Sequence, residues 1–145
     1  MNHSTQHNDL AWMLDGLVEV PHVAFAVVVS TDGLIVQKST LLAQETAEIL
    51  AAGSSSMYSV AAGTGRRIGS GLVDQIVIEY HNHILFLAAA GQHARLAVLC
   101  EPSVDMGTVA YEVRRLVTRI GEYLGTEARP AALSVNGQPG TGHGV

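Results

Sequence analysis

A chain of 145 residues, 48% of them hydrophobic, fits one domain with a sizeable core. A formal net charge of −5, with Lys38 the only lysine, argues against a general nucleic-acid binder, which carries a basic stripe. A single cysteine, Cys100, excludes an internal disulfide and a thiolate zinc site, and reads as core filling in an apolar strand. Charged residues make up only 14% of the chain, below the usual fraction of about a quarter, so an apolar surface covered by a partner is expected.

Residues 1–7 are polar with no lysine or arginine; they are expected to be disordered and not to be a signal peptide. Asn8 or Asp9 caps a first helix that runs to about Val20, with Leu10, Met13, Leu14 and Leu17 on one buried face. Pro21 stops it. Trp12 lies opposite that face, where it serves as a binding hot spot, is covered by the N-terminal segment, or stands alone. Val23–Ser30 is continuously apolar, like a strand covered on both faces. Thr31-Asp32-Gly33 is a hairpin turn, and Leu34–Ser39 is the return strand.

The segment from about Gln44 to Ile68 contains AAGSSSMYSVAAGTG, residues 51–65, and is rich in glycine and serine. It lacks the lysine of a phosphate-binding P-loop, and Gly63, Gly65 and Gly69 miss the dinucleotide-binding spacing. A linker would not carry spaced apolar residues. Ile49, Leu50, Met57, Val60, Ala61 and Ile68 share one arc of a helical wheel, so a helix about 34 Å long lying on a sheet by that arc is expected.

A second arc of that helix holds Glu48, Ala51, Ala52, Ser55, Ser59, Ala62 and Arg66, small residues that let another helix come close. A twofold axis at Met57 sets Ser55 against the partner's Ser59, Ala52 against the partner's Ala62 and Glu48 against the partner's Arg66. Internal glycines cost about 1 kcal/mol each relative to alanine, so packing must offset the poor propensity.

Gly69-Ser70-Gly71 ends the helix. Leu72–Tyr80 follows as a partly polar strand; as an edge it would pair with its twin, with Asp74, Ile76 and Ile78 as interface residues. Ile84–Ala90 and Arg95–Cys100 are apolar strands. Ser103 or Asp105 caps a last amphipathic helix, terminated at Gly125. The domain thus spans 8–125, and 126–145 is expected to be a disordered Gly/Pro-rich tail. The fold class is α/β (α+β): a five-stranded antiparallel sheet, helices on both faces, order α-β-β-α-β-β-β-α, apolar strands central and mixed strands at the edges.

Little in the chain suggests chemistry. His81 and His83 flank Asn82 in a turn without a third ligand. His22, His93 and His143 show no pairing, and no serine–histidine–acid constellation is visible. Arg66 and Arg67 sit at a helix end, where cations oppose the macrodipole; an arginine finger belongs on a loop. No catalytic residue, metal site or cofactor is expected. With no apolar run near 18 residues, the chain is expected to be cytoplasmic, at most brought to a membrane by partners.

With this element order, the hairpin of Val23–Ser30, Thr31-Asp32-Gly33 and Leu34–Val36, and the long small-residue helix ending in Gly69-Ser70-Gly71, the chain resembles the Roadblock/LC7 family over residues 8–124. The alanine- and arginine-rich make-up and the tail look most like its actinobacterial members, encoded beside a GTPase and a sensor-kinase-like protein. The resemblance implies a Roadblock/profilin-like fold and dimers formed through the second helix and third strand. It also implies a non-enzymatic regulator or scaffold of a small Ras-like GTPase, with the sensor-kinase-like protein a further partner. The alternative reading is a profilin- or PAS-like sensory domain holding a small ligand between helix and sheet; the sheet-facing positions offer few polar groups for one.

Overall fold

The computed structural model describes residues 2–136, with side-chain surroundings over 9–125. The first helix, α1 (Asn2–Val18), starts about six residues before the expected Asn8 or Asp9 cap. Residues 2–7, expected to be disordered, hold neither Gly nor Pro, so nothing in them breaks the helix. Leu10, Leu14 and Leu17 form its buried stripe. Its end tightens into i→i+3 turns, the amides of Glu19 and Val20 donating to the carbonyls of Gly16 and Leu17. His22 follows with a φ of 72°, the left-handed corner that admits β1.

Strands β1 (Val23–Ser30) and β2 (Ile35–Lys38) form the expected hairpin. Gly33, at φ 87°, supplies the left-handed turn position, and the Ser30 amide donates to the Leu34 carbonyl across it. Helix α2 (Gln44–Arg67) then crosses to β3 (Gln75–Glu79), followed by β4 (Ile84–Ala89) and β5 (Ala94–Cys100). β3 is shorter than the expected Leu72–Tyr80: Leu72 and Val73 lead in outside the ladder, Asp74 joins it only through its carbonyl, which accepts from the Ala89 amide, and Tyr80 already belongs to the turn, its amide donating to the His83 carbonyl.

Helix α3 (Met106–Asn136) is capped by Asp105, whose carboxylate accepts from the Gly107 amide and the Thr108 hydroxyl. Those bonds favour the charged form and hold the Asp105 carboxyl below its usual range, the Thr108 hydroxyl contributing most. The helix passes through Gly125 rather than ending there, so 126–136 are helical where a disordered tail was expected. One glycine lowers propensity by about 1 kcal/mol without forcing a stop. The rest of that tail, 137–145, lies outside the described residues.

The sheet is antiparallel throughout, in the order β2-β1-β5-β4-β3. Its three apolar strands are central and its two mixed strands form the edges, as expected from the composition of each. The pleat sends Ala26, Val28, Phe86, Leu96 and Val98 toward α1 and α3, and Val27, Val29, Leu85, Leu87 and Ala97 toward α2. Cys100 is fully buried as core filling, and burial pushes its thiol from 9.0 up to about 11. The β4–β5 turn approaches α3 closely: a Cβ on Gly91 would stand 3.1 Å from the Cα of Gly121.

Candidate partner-binding site

α2 is one uninterrupted helix, but its rotation on the sheet corrects the sequence-based assignment. The residues it buries are Ala47, Ala51, Ser54, Tyr58 and Gly65. This row falls between the two expected arcs. Ile49, Val60 and Ile68, expected on the sheet, are instead 66%, 71% and 68% exposed. Ala51, expected at an interface, lies against the sheet and cannot reach a partner.

Small residues face inward because the helix sits close to β1 and β5, where Val27, Val29 and Ala97 leave little depth. Tyr58 is the one large anchor in the row. Its hydroxyl donates to the Val73 carbonyl at 2.5 Å, and the Arg95 guanidinium lies over its ring, 4.2 Å from the centroid. Burial raises the Tyr58 phenol above its ordinary value, while Arg95 pulls the other way. Ser55 donates to the Thr31 carbonyl at 3.1 Å, tying the hairpin to the helix. At the other end Ser70 donates its amide to the Gly65 carbonyl at 2.8 Å, and a Cβ on Gly65 would sit 2.8 Å from the Gly71 carbonyl oxygen. Only glycine fits there.

Opposite the buried row runs an outer stripe: Glu45, Ile49, Ala52, Ser56, Ser59, Val60 and Arg67 are exposed, and Gly63 is half-buried. At 3.6 residues per turn these positions form one line down the helix. Of the other expected interface residues, Glu48 and Arg66 are exposed on its flank, and Ser55 and Ala62 are half-buried further round. β3 is the edge strand next to this region, with its outer backbone edge unpaired by any other strand in the sheet. Ile76 and Ile78 are half-buried on the α2 side of the sheet, and Asp74 is exposed just before the strand.

Sequence reasoning missed one polar cluster. The His22 Nδ1 lies 2.9 Å from Glu101 Oε1 and 3.1 Å from Ser103 Oγ. Both partners meet the same ring nitrogen, so the three do not form a proton relay, which needs the serine on one nitrogen and the acid on the other. Seventy-nine residues separate His22 from Glu101, so no local spacing announced the pair. His81 and His83 are exposed in their turn. Among the described residues no group of three or more His, Cys, Asp or Glu could hold a metal, and no helix is long and apolar enough to cross a membrane.

Comparison with known proteins places this architecture. The family model described as the Roadblock/LC7 domain matches residues 10–100. A Roadblock/LC7 domain from Streptomyces avermitilis is 37% identical, with a TM-score of 0.75 over 79% of this chain and 96% of that one. Myxococcus xanthus MglB shares the fold at 14% identity, with a TM-score of 0.76 over 81% of this chain and 96% of its own. Acanthamoeba castellanii profilin IB does so at 16% identity, with a TM-score of 0.58 over 78% of this chain and 97% of its own. No curated protein matches the chain by sequence.

Proposed function

The chain belongs to the Roadblock/LC7 domain family, and from that premise we propose that it is a homodimeric, non-catalytic regulator or scaffold of a small Ras-like GTPase in a bacterial signalling system. The observation that carries the reading is the outer stripe of α2, where Ile49 and Val60 stand two-thirds or more exposed among small residues. Side chains of this kind, in line and without charge between them, suit a second helix.

The corrected rotation moves the twofold axis from Met57 to Ser56. An antiparallel copy then sets Ile49 against the partner's Gly63, Val60 against the partner's Ala52, and Glu45 near the partner's Arg67. Each large residue meets a small one, as a self-complementary interface requires. The terminal ion pairs are exposed and contribute about 0–1 kcal/mol, enough to favour the antiparallel sense. Pairing of β3 with its twin would satisfy its free edge and extend the sheet. Ile76 and Ile78 would lie beneath the paired helices, and Asp74 at the margin.

The paired helices present a two-protomer platform. A GTPase on it would have its own switch loops reshaped, with no catalytic group supplied from this chain. A sensor-kinase-like protein is the further partner, and the complex works in the cytoplasm, at a membrane only through its partners.

Sedimentation of the wild type should give twice the chain mass, and Ala52→Arg or Ser56→Arg should give a folded monomer. A wild-type monomer, or an unchanged mass in both variants, overturns the interface. Pull-down with the GTP- and GDP-loaded forms of a GTPase encoded beside this chain tests the partner. Failure to bind either form favours the ligand-sensing alternative.

A further inference from the structure

The sheet has a second side, and the α2 platform does not reach it. There α1 and α3 lie next to each other and leave a groove of about 190 Å³ between them. Leu17 and Leu116 form its apolar floor, with Met13 beside them. Gly16 opens it, since a Cβ there would meet no atom within 4 Å. Trp12 forms one rim and is 70% exposed. Arg115 and Arg119 form the other, with Glu112.

The basic rim continues outward. Arg115 and Arg119 also border a shallow depression with Tyr111, Arg114 and Thr118. Three of the eight lysines and arginines of an acidic chain thus share one helix face. They are weakly held. Arg115 lies 3.4 Å from Glu112 at an exposed i,i+3 pair and 5.8 Å from the centre of the Tyr111 ring. Such arginines are available to carboxylates of a partner.

The geometry points to this α1–α3 groove as a docking site for an acidic peptide segment of a second protein. One apolar side chain of the peptide enters beside Trp12, and its Asp or Glu residues pair with Arg115 and Arg119. Arginine and tryptophan around an apolar floor are the residues that concentrate binding energy at peptide interfaces. The concave floor favours a side chain over a flat lipid surface. The site is independent of the dimer, because α2 packs on the opposite face of the sheet.

Trp12 is the only tryptophan, so its emission reports on the groove directly. Peptides selected from a random display library against the full-length chain should combine acidic residues with an aromatic or aliphatic anchor and shift Trp12 emission to the blue. Arg115→Glu with Arg119→Glu should weaken them about tenfold or more. Gly16→Leu, which fills the groove from an open helix position, should fold at least as well as wild type and weaken them similarly. The monomeric Ala52→Arg variant should bind them as wild type does, which separates this site from the α2 interface. Selected peptides without acidic residues, or binding undiminished in the two groove variants, overturn the proposal. So does a Trp12 response to phosphatidylserine vesicles with none to any selected peptide.

Discussion

The two sides of the sheet are covered by different means. On one, α1 and α3 send Leu10, Leu14 and Ile120 into Phe86 and Leu96, large side chains filling deep space. On the other, α2 lays Ala47, Ala51, Ser54 and Gly65 close onto Val27, Val29 and Ala97, and turns Ile49 and Val60 outward. α2 holds the monomer with Tyr58, and with Leu50 and Met57 at its side, while Ile49 and Val60 take no part in that packing. Both sides bury a core, but only the α2 side leaves large aliphatic side chains in line on the outer surface of its helix.

Removing bulk from the deep side should have the largest effect. Phe86→Ala takes a fully buried ring from the α1/α3 core and should cost about 3–5 kcal/mol in urea unfolding. Adding bulk to the close side should come next. Gly65→Ala would place a methyl 2.8 Å from a backbone oxygen, and should lower stability by about 1–2 kcal/mol despite the ~1 kcal/mol that alanine brings to an open helix site. The smallest effect belongs to Ser54, whose buried hydroxyl has no hydrogen-bond partner among the described residues. Ser54→Ala should leave the thermal midpoint unchanged or raise stability by up to about 1 kcal/mol. A large loss there would mean that α2 depends on Ser54 in a way its packing does not indicate.

Much of this fold was legible from the chain. Periodicity located the element order, and the polar character of Leu34–Ser39 and Leu72–Tyr80 marked the strands that form the edges. The rotation of α2 was legible only in part: of the large apolar residues expected inward, Leu50 and Met57 pack on the core, and Ile49, Val60 and Ile68 do not. The depth available under a helix depends on which strands it crosses, and Val27, Val29 and Ala97 are known to be those partners only once the sheet order is known. Tyr58, outside both expected arcs, is the inward anchor, and its cover by Arg95 joins residues from α2 and β5. The groove beside Trp12 was hidden for the same reason: no local pattern says that α1 and α3 are neighbours.

The strand order also governs how the molecule is made. Val27 pairs with Ala97, about seventy positions further along, so β1 lacks its central neighbour until almost the whole sheet has been synthesised. A nascent chain that ends before Cys100 can pair Val23–Ser30 with β2 on one edge but leaves its other edge open. Sticky intermediates, and any need for chaperone protection, should concentrate in that interval of translation.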